Sequence, residues 1–256
     1  MCDLWKNTLP RSVPTGAIPK QISFALAQLG SSAEQLKLYN SGSFFDPAAI
    51  PISDYPAIAR TVSCAKHLVV ECHPRLVGES AVRFRGLLQG PLEVALGLET
   101  VHPGVLPRLN KRFNLVHFAE AARFLTKAGI HVRAFVLVKP PFMNEGEGVE
   151  WAVKSAEFAF ACGAGVVSLI PTRPGNAPLD RLMETGEFVP PRLASLEHAL
   201  ELGIGLRRGR VFADTWNLEQ FSACPACFHR RQQRLQSMNL HQEILPNVEC
   251  GICGQI

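Results

Sequence analysis

Long uninterrupted apolar runs are missing from this sequence of 256 residues. Charged residues, proline or glycine interrupt every apolar stretch before it reaches the ~20 residues that a membrane-spanning helix requires. The opening segment, MCDLWKNTLPRSVP, also has neither the apolar core nor the small-residue cleavage site of a secretory signal. We therefore expect a cytoplasmic protein that is not integral to a membrane.

Several widespread catalytic motifs are missing as well. The sequence contains no H-E-x-x-H helix, no G-x-S-x-G nucleophile turn and no G-x-x-x-x-G-K-[ST] phosphate loop. These motifs bind catalytic zinc, present a nucleophilic serine and cradle phosphates, respectively. Zinc proteases, serine hydrolases and P-loop enzymes are therefore poor candidates.

The sequence has enough apolar material for a sizeable core, since 47% of its residues are hydrophobic and only 19% are charged. Short aliphatic runs alternate with helix-length segments, which is the pattern of repeated βα units around a parallel sheet. Segment 114–129 is predicted to be a crossover helix with Asn114 as its N-cap and Gly129 as its stop. The predicted strands are 36–40, 67–71, 92–99, 131–139, 166–172 and 209–214.

The start of the chain predicts an incomplete barrel. A helical stretch, Ala17–Leu29, precedes the first predicted strand with only a loop before it, so the strand expected ahead of it is missing. From Cys224 onward the βα alternation stops. We predict an α/β fold: a partial (βα)6 TIM-like barrel of parallel strands that lacks its first strand, over residues 1–222, and a small C-terminal metal-binding tail with four cysteines, over residues 223–256.

The segment after the first predicted strand, SGSFFD, is the first candidate site, because chemistry in βα folds gathers at the carboxyl ends of strands. Gly42 permits a positive φ, and the hydroxyl and amide groups beside it can bind a small charged group. Taken alone, the same segment is more typical of a tight turn in which Asp46 caps the next helix.

Glutamates finish the next two predicted strands. A carboxylate such as Glu71 or Glu99 at the end of an apolar strand carries a desolvation cost unless it is paired or faces a polar ligand. Pairing with Arg133 or Arg173 is an equally good structural explanation.

The later strand ends are also polar. Lys139 ends the fourth predicted strand and Arg173 follows the fifth. His73 and His102 lie beside prolines, where a histidine is a metal ligand, a proton shuttle or simply a loop residue, and the loop interpretation is favoured. Five polar strand ends in order predict a polar-lined crater.

Taken in order, the segments MCDLWKNTL, LKLYNSGSFFD, HLVVECHP, LEVALGLET, VRAFVLVKPPF and SLIPTRPGN resemble the radical S-adenosylmethionine superfamily. The branch they resemble has an Elongator-catalytic-subunit-like core, and within it the similarity is to the archaeosine-biosynthesis radical enzymes and their bacterial relatives. The resemblance covers essentially the whole chain. It implies a [4Fe-4S] cluster held by a Cys-x3-Cys-x2-Cys loop, S-adenosylmethionine as cofactor, an electron donor as partner, and hydrogen abstraction from a substrate.

The resemblance also implies roles for individual residues. Cys2 matches the last cluster cysteine. The residues that correspond to cofactor-binding positions are Asn40, Ser41, Gly42, Ser43, Glu71, Glu99 and Arg173, of which the first four match the segment that receives the amino group of the cofactor.

The cluster loop is incomplete in this sequence. The two cysteines that would join Cys2 are expected upstream of Met1, so the chain as written is expected to be an inactive fragment. If Met1 is the true start, the alternative is a non-catalytic zinc-binding or RNA-binding protein with a degenerate radical S-adenosylmethionine barrel.

Four of the eight cysteines form two Cys-x-x-Cys pairs separated by 22 residues: Cys224, Cys227, Cys250 and Cys253. In a reducing compartment this arrangement favours metal binding over disulfides. Four soft ligands in two pairs fit tetrahedral zinc, which we favour. The same thiolates are also able to hold a second iron–sulfur cluster.

A run of arginines surrounds the first cysteine pair. Their excess over acidic residues predicts contacts with RNA phosphates, although such a run is also typical of a solvated face. Together with the resemblance, it makes tRNA the leading substrate, while the oligomeric state is not predicted. The arginines are Arg207, Arg208, Arg210, Arg230, Arg231 and Arg234.

Overall fold

The structure is a computed structural model that describes residues 6, 9, 11–29, 34–40 and 42–253. Strands and helices alternate along most of these residues. In chain order the elements are α1 (Ala17–Leu29), β1 (Gln35–Leu38), α2 (Tyr55–Thr61), β2 (His67–Cys72), α3 (Glu79–Arg85), β3 (Leu92–Glu99), α4 (Val105–Arg108), α5 (Leu115–Lys127), β4 (His131–Val138), α6 (Glu145–Ala161), β5 (Val166–Pro171), α7 (Ala177–Glu184), α8 (Leu193–Gly205), β6 (Arg210–Ala213) and α9 (Pro225–His241).

All six predicted strands are present, and their ends differ from the predicted ones by no more than two residues. They form one sheet in the order β1-β2-β3-β4-β5-β6. The pairs β1–β2, β2–β3 and β5–β6 are parallel, with helices in the connections. A sequential parallel order with helical crossovers is that of a partial βα barrel, so the predicted fold class is confirmed. No described helix is both long enough and apolar enough to cross a bilayer.

By its internal contacts the chain divides into two compact units. The N-terminal unit comprises the described residues up to Gly97 together with Phe113–Arg133, and the C-terminal unit comprises Leu98–Arg112 and the described residues from Ala134 onward. The predicted N-terminal helix Ala17–Leu29 is present in the first of these.

An aromatic cluster fills part of the core of the N-terminal unit. Phe44, Phe45, Tyr55 and Phe84 are all buried, and their ring centroids lie 4.8 to 6.4 Å apart. These residues come from the segment after β1, from α2 and from α3. Because aromatic side chains bury large apolar areas, the cluster fixes the segment after β1 against two helices.

The crossover helix predicted over 114–129 is α5. The Asn114 side chain accepts a hydrogen bond from the His117 N–H at 3.0 Å, and the His117 ring accepts one from the Asn114 N–H at 3.2 Å. Gly129 follows the helix with φ +68°, a conformation that favours glycine. Both predicted ends of this helix are therefore confirmed.

In the C-terminal unit, α8 packs against α6, β5 and β6. Gly203 permits close packing there, because a Cβ atom at this position would lie 2.9 Å from Val211 Cγ1. Strand β6 also receives two side-chain amides from the end of α9. Asn239 donates to the carbonyl and accepts from the N–H of Ala213, both at 2.8 Å, and Gln242 makes the same pair of bonds with Val211 at 2.7 and 2.8 Å.

Candidate active site and metal centre

The end of β2 holds the segment after β1 in the N-terminal unit. Glu71 Oε1 accepts hydrogen bonds from the N–H groups of Asn40 at 2.6 Å and Gly42 at 3.4 Å. The buried Ser43 hydroxyl accepts one from the His73 N–H at 2.8 Å. The carboxylate predicted from the strand end is thus bound by backbone amides of the predicted cofactor segment, which places Asn40, Gly42, Ser43 and Glu71 together.

Asn40 presents an unmatched acceptor within this segment. Its Nδ2 donates to the Ser43 carbonyl oxygen at 3.4 Å, whereas its Oδ1 is buried and has no hydrogen-bond donor among the described residues. A buried carbonyl oxygen without a donor costs about 1–3 kcal/mol. A cationic ligand group with several N–H donors would satisfy this oxygen.

The predicted role of Asp46 is not confirmed. Asp46 does not cap a helix, because its side chain accepts from the Ala48 N–H at 2.9 Å and closes a local turn well before α2 begins. Ser41 and the predicted cluster residue Cys2 lie outside the described residues.

Glu99 lies at the end of β3, in the C-terminal unit. Its side chain is nearly buried and pairs with Lys111 Nζ at 2.9 Å. The backbone φ of +64° is unusual for a residue with a side chain and costs roughly 1–3 kcal/mol. Lys111 was not anticipated from the sequence, since it belongs to a loop with no strand or helix periodicity.

Arg173 is tied to the end of β6. Its guanidinium pairs with Asp214 Oδ2 at 2.9 Å and donates to the Trp216 carbonyl oxygen at 2.6 Å. The predicted alternative that Arg173 pairs with a strand-end glutamate is therefore wrong. For Arg133 the observed ion pair is with Glu93, at the opposite end of β3 from Glu99.

Lys139 follows β4 and is buried with a positive φ of +51°. It donates to Glu145 in the first turn of α6, and Glu145 also accepts from the Ser195 hydroxyl. Burial raises the pKa of Glu145, but the bonds from Lys139, Ser195 and the Arg192 N–H outweigh it and leave the pKa below its usual value. The buried ammonium is thereby neutralised.

The four predicted metal-ligating cysteines converge in the C-terminal unit. The Sγ atoms of Cys224 and Cys250 lie 4.0 Å apart, those of Cys227 and Cys253 lie 3.9 Å apart, and all four lie within 4.8 Å of one another. The first pair is at the start of α9 and the second lies in a turn near the end of the chain, with Val248 packed against the cluster.

The electrostatic setting of Cys250 favours metal binding. The N–H groups of Cys253 and Ile252 lower the pKa of Cys250 to about 6. Thiolates rather than thiols bind metals, so a lowered pKa keeps this ligand in its binding form at neutral pH.

Two of the predicted RNA-contacting arginines are buried instead. Arg231 pairs with Glu197 at 2.5 Å, and Arg234 pairs with Glu197 at 3.4 Å and with Glu201 at 2.6 Å. They join α9 to α8, so their charges are not available to phosphates. The arginine run was misread because these two residues lie at i and i+3 on the buried face of α9, beside Leu235 and other buried residues. The exposed members of the run are Arg207, Arg208, Arg210 and Arg230.

Sequence comparison finds relatives but no matching protein-family model. An uncharacterised protein of Methanocaldococcus jannaschii is 22% identical over 98% of this chain and 73% of its own length. The archaeosine synthase subunit beta of Methanosarcina acetivorans is 28% identical over 63% of this chain and 48% of its own length. The same subunit of Thermococcus kodakarensis is 28% identical over 64% of this chain and 53% of its own length. The alignments therefore span about half the length of each of these two subunits.

Among solved structures, the archaeal Elp3 of Methanocaldococcus infernus, with an N-terminal deletion, superimposes with a TM-score of 0.64. The match covers 90% of this chain and 62% of that one at 14% identity, and it shows a common fold. The fold is thus that of a partial βα barrel shared with Elp3. The resemblance recognised in the sequence is confirmed: this chain is related to the radical S-adenosylmethionine superfamily, and its named sequence relatives are archaeosine synthase beta subunits.

Proposed function

We propose that this chain binds S-adenosylmethionine at its strand ends and forms part of a radical S-adenosylmethionine enzyme. The observation that carries the proposal is the buried Oδ1 of Asn40, to which no described residue donates. The amino group of S-adenosylmethionine is a cation with N–H donors and suits this acceptor. The Glu71 carboxylate, 2.6 Å from the Asn40 N–H, adds negative charge at the same place.

A radical S-adenosylmethionine enzyme also requires a catalytic [4Fe-4S] cluster. When bound, a [4Fe-4S] cluster supplies the electron for reductive cleavage of S-adenosylmethionine. The C-terminal cysteine tetrad does not suit this role, because four thiolates occupy all four irons and leave none open for the cofactor. We assign Cys2 to the catalytic cluster from the resemblance alone.

The binding proposal is tested by isothermal titration with two probes, S-adenosylmethionine and 5′-methylthioadenosine, which lacks the amino acid part. We expect Asn40→Ala to weaken S-adenosylmethionine about tenfold, the scale of one hydrogen bond to a charged group. Binding of 5′-methylthioadenosine should not change. Asn247→Ala, at an exposed loop position outside this segment, is the control. Equal losses for both probes, or no loss for either, would contradict the role of Asn40.

We further propose that residues 223–256 form a metal-binding tail that holds a single zinc ion. Four sulfur atoms arranged tetrahedrally ~2.3 Å from one zinc ion stand about 3.8 Å apart. The measured separations of 3.9 and 4.0 Å support this size. A [4Fe-4S] cluster places each thiolate on a different iron around a larger cage, so it requires wider spacing.

The metal is identified by elemental analysis of the purified chain. We expect one zinc per chain, no iron above background at this site, and a cobalt-substituted protein with the thiolate charge-transfer bands of a tetrahedral centre. Stoichiometric iron and sulfide retained after mutation of Cys2 would instead assign a second cluster.

For the substrate we propose tRNA. The support is the relationship to archaeosine synthase beta subunits and the four exposed arginines of the run. Anaerobic reconstitution of a chain that carries all three cluster cysteines, followed by assay for 5′-deoxyadenosine, tests whether the protein is an enzyme. The non-catalytic alternative predicts a different result. The chain would bind zinc and RNA, and Asn40→Ala would not weaken S-adenosylmethionine more than 5′-methylthioadenosine.

A further inference from the structure

The C-terminal unit contains a cavity to which no proposed ligand of S-adenosylmethionine or zinc contributes. It measures about 660 Å³ and lies among the loops after α4, β4 and α7. This volume is within the range of small-molecule pockets. Its lining combines aromatic and apolar side chains with three cationic ones, Arg108, Lys139 and Arg192, and with two carboxylates, Glu187 and Glu145, which pair with Arg108 and Lys139.

The most specific feature of this cavity is a stacked pair of side chains. The guanidinium carbon of Arg108 lies 3.3 Å from the centroid of the Phe142 ring. This is about the contact distance of two stacked π-systems. The planes of the guanidinium and the ring must therefore be roughly parallel, because a tilted arrangement would make atoms overlap. Glu187 Oε1 accepts from Arg108 Nη2 at 2.9 Å and fixes the guanidinium in its plane.

The ring beneath the guanidinium is held firmly. Phe142 has a φ of +73°, which is unfavourable for an aromatic residue, and its N–H donates to the Glu187 carbonyl oxygen at 2.9 Å. Its ring also packs against an apolar cluster that includes Leu109 and Leu137. Glu187 therefore fixes both members of the stack, one through its side chain and one through its backbone.

The Arg108 side of the stack remains partly accessible to solvent. The Arg108 side chain is 50% exposed although it is paired and stacked. A guanidinium stacked on an aromatic ring presents a flat, cationic surface. Unpaired nucleobases stack on surfaces of this kind when proteins bind single-stranded RNA. The exposed Arg192 on the same cavity supplies a positive charge for an adjoining phosphate.

We propose that this cavity binds a nucleobase of the RNA substrate, which stacks on the outer face of the Arg108–Phe142 pair. The proposal rests on the proposed RNA substrate. It assigns a function to Arg108 as a binding residue and to Glu187 as a positioning residue. The cavity discriminates planar heterocycles from simple anions because a phosphate gains nothing from the stacked surface.

The test uses the full chain and a short single-stranded RNA that contains one 2-aminopurine, whose fluorescence is quenched by stacking. Arg108→Lys keeps the charge and removes the planar group. We expect it to weaken quenching and affinity about tenfold, the scale of one base stack. Glu187→Gln should have a smaller effect in the same direction, because it loosens the guanidinium without removing it. The exposed Arg181→Lys on α7 is the matched control and should have no effect.

Two further arms decide among the alternatives. Ribose 5-phosphate should not displace the RNA, and displacement by it would make the cavity an anion site and overturn the proposal. S-adenosylhomocysteine at stoichiometric concentration should also leave the RNA bound, whereas full displacement would assign the cavity to the adenine of the cofactor and overturn it as well. Equal affinities of wild type and Arg108→Lys are the third contradicting result.

The result of the RNA-binding test does not depend on the result of the cofactor-binding test at Asn40. The Asn40→Ala variant is measured with the cofactor probes and the Arg108→Lys variant with RNA, so either proposal can fail while the other holds. Circular dichroism of each variant shows that folding is retained.

Discussion

The cysteine tetrad and the segment after β1 present their polar atoms in opposite ways. At the tetrad, four sulfur atoms converge within 4.8 Å and can share one common partner. In the segment after β1, the Glu71 carboxylate is already bound by backbone amides, and Asn40 Oδ1 has no donor within the described part of the chain. Four converging atoms specify the size and the chemistry of a ligand, whereas one unmatched acceptor specifies only that a donor is needed.

The largest effect should follow from breaking the tetrad. We expect Cys227→Ser to lower the zinc content from one per chain to near zero and to destabilise the tail by several kcal/mol, because binding free energy of a structural zinc is folding free energy. Elemental analysis and urea denaturation measure the two quantities. Cys64→Ser, at an exposed position outside the tetrad, should change neither. A variant that keeps its zinc would contradict the four-ligand site.

The second effect tests whether ion pairs hold the tetrad in place independently of metal. Glu197→Leu leaves Arg231 and Arg234 as buried cations without their shared partner, which should cost about 3–5 kcal/mol. Thermal and urea denaturation measure the loss with zinc bound and after zinc is removed by a chelator, and a loss of the same size in both states shows that the pairs act independently of the metal. The surface pair Glu150–Lys154 offers the contrast, since Glu150→Ala should cost less than about 0.5 kcal/mol.

The third effect concerns the strained end of β4. A Cβ atom on Gly148 would lie 2.6 Å from Lys139 Cβ and 2.9 Å from its Cα. We expect Gly148→Ala to destabilise the chain by about 1–3 kcal/mol, because the backbone of Lys139 must move. Gly146→Ala in the same helix meets only Asn144 Oδ1 at 3.5 Å and should be tolerated. Equal stability of the two variants, measured by urea denaturation, would argue against close packing at this strand end.

The smallest effect should come from the segment after β1. Glu71→Gln keeps an acceptor for the Asn40 N–H but removes the charge that strengthens the bond, so we expect a loss of about 1 kcal/mol. Hydrogen exchange at the Asn40 amide should become faster in the same variant. Glu34→Gln at the exposed pair with Lys66 is the control and should stay within about 0.5 kcal/mol. A loss of several kcal/mol would show that this segment is built as rigidly as the tetrad.

The features that the sequence predicted well are those that depend on local patterns. Strand positions follow from apolar runs, the ends of α5 follow from Asn114 and Gly129, and the cysteine spacing identified all four members of the tetrad. The signals for the strands and for α5 lie within a few residues of the feature that they predict. The two halves of the tetrad are far apart in the sequence, but two Cys-x-x-Cys pairs are diagnostic of a metal site.

Partner choice across the sequence was not predictable. Glu99 pairs with Lys111 and Arg173 with Asp214, although both acidic and basic residues elsewhere offered equivalent charges. The charge of a buried side chain indicates that it needs a partner of opposite charge. It does not identify that partner, because the positions of the backbone decide which side chains meet. The same limit applies to Asn40, whose Oδ1 is found to lack a donor among the described residues only when all its neighbours are placed.

The pair of amides on β6 has a consequence for association between chains. Asn239 and Gln242 each bind both the N–H and the carbonyl of a β6 residue, as the backbone of a neighbouring strand would. Strand β6 is the last in the sheet order, and such an edge is a template for pairing with strands of other molecules. The two side chains occupy the backbone hydrogen-bonding groups that a neighbouring strand would use. They therefore protect this edge from pairing with other molecules and from the aggregation that such pairing causes.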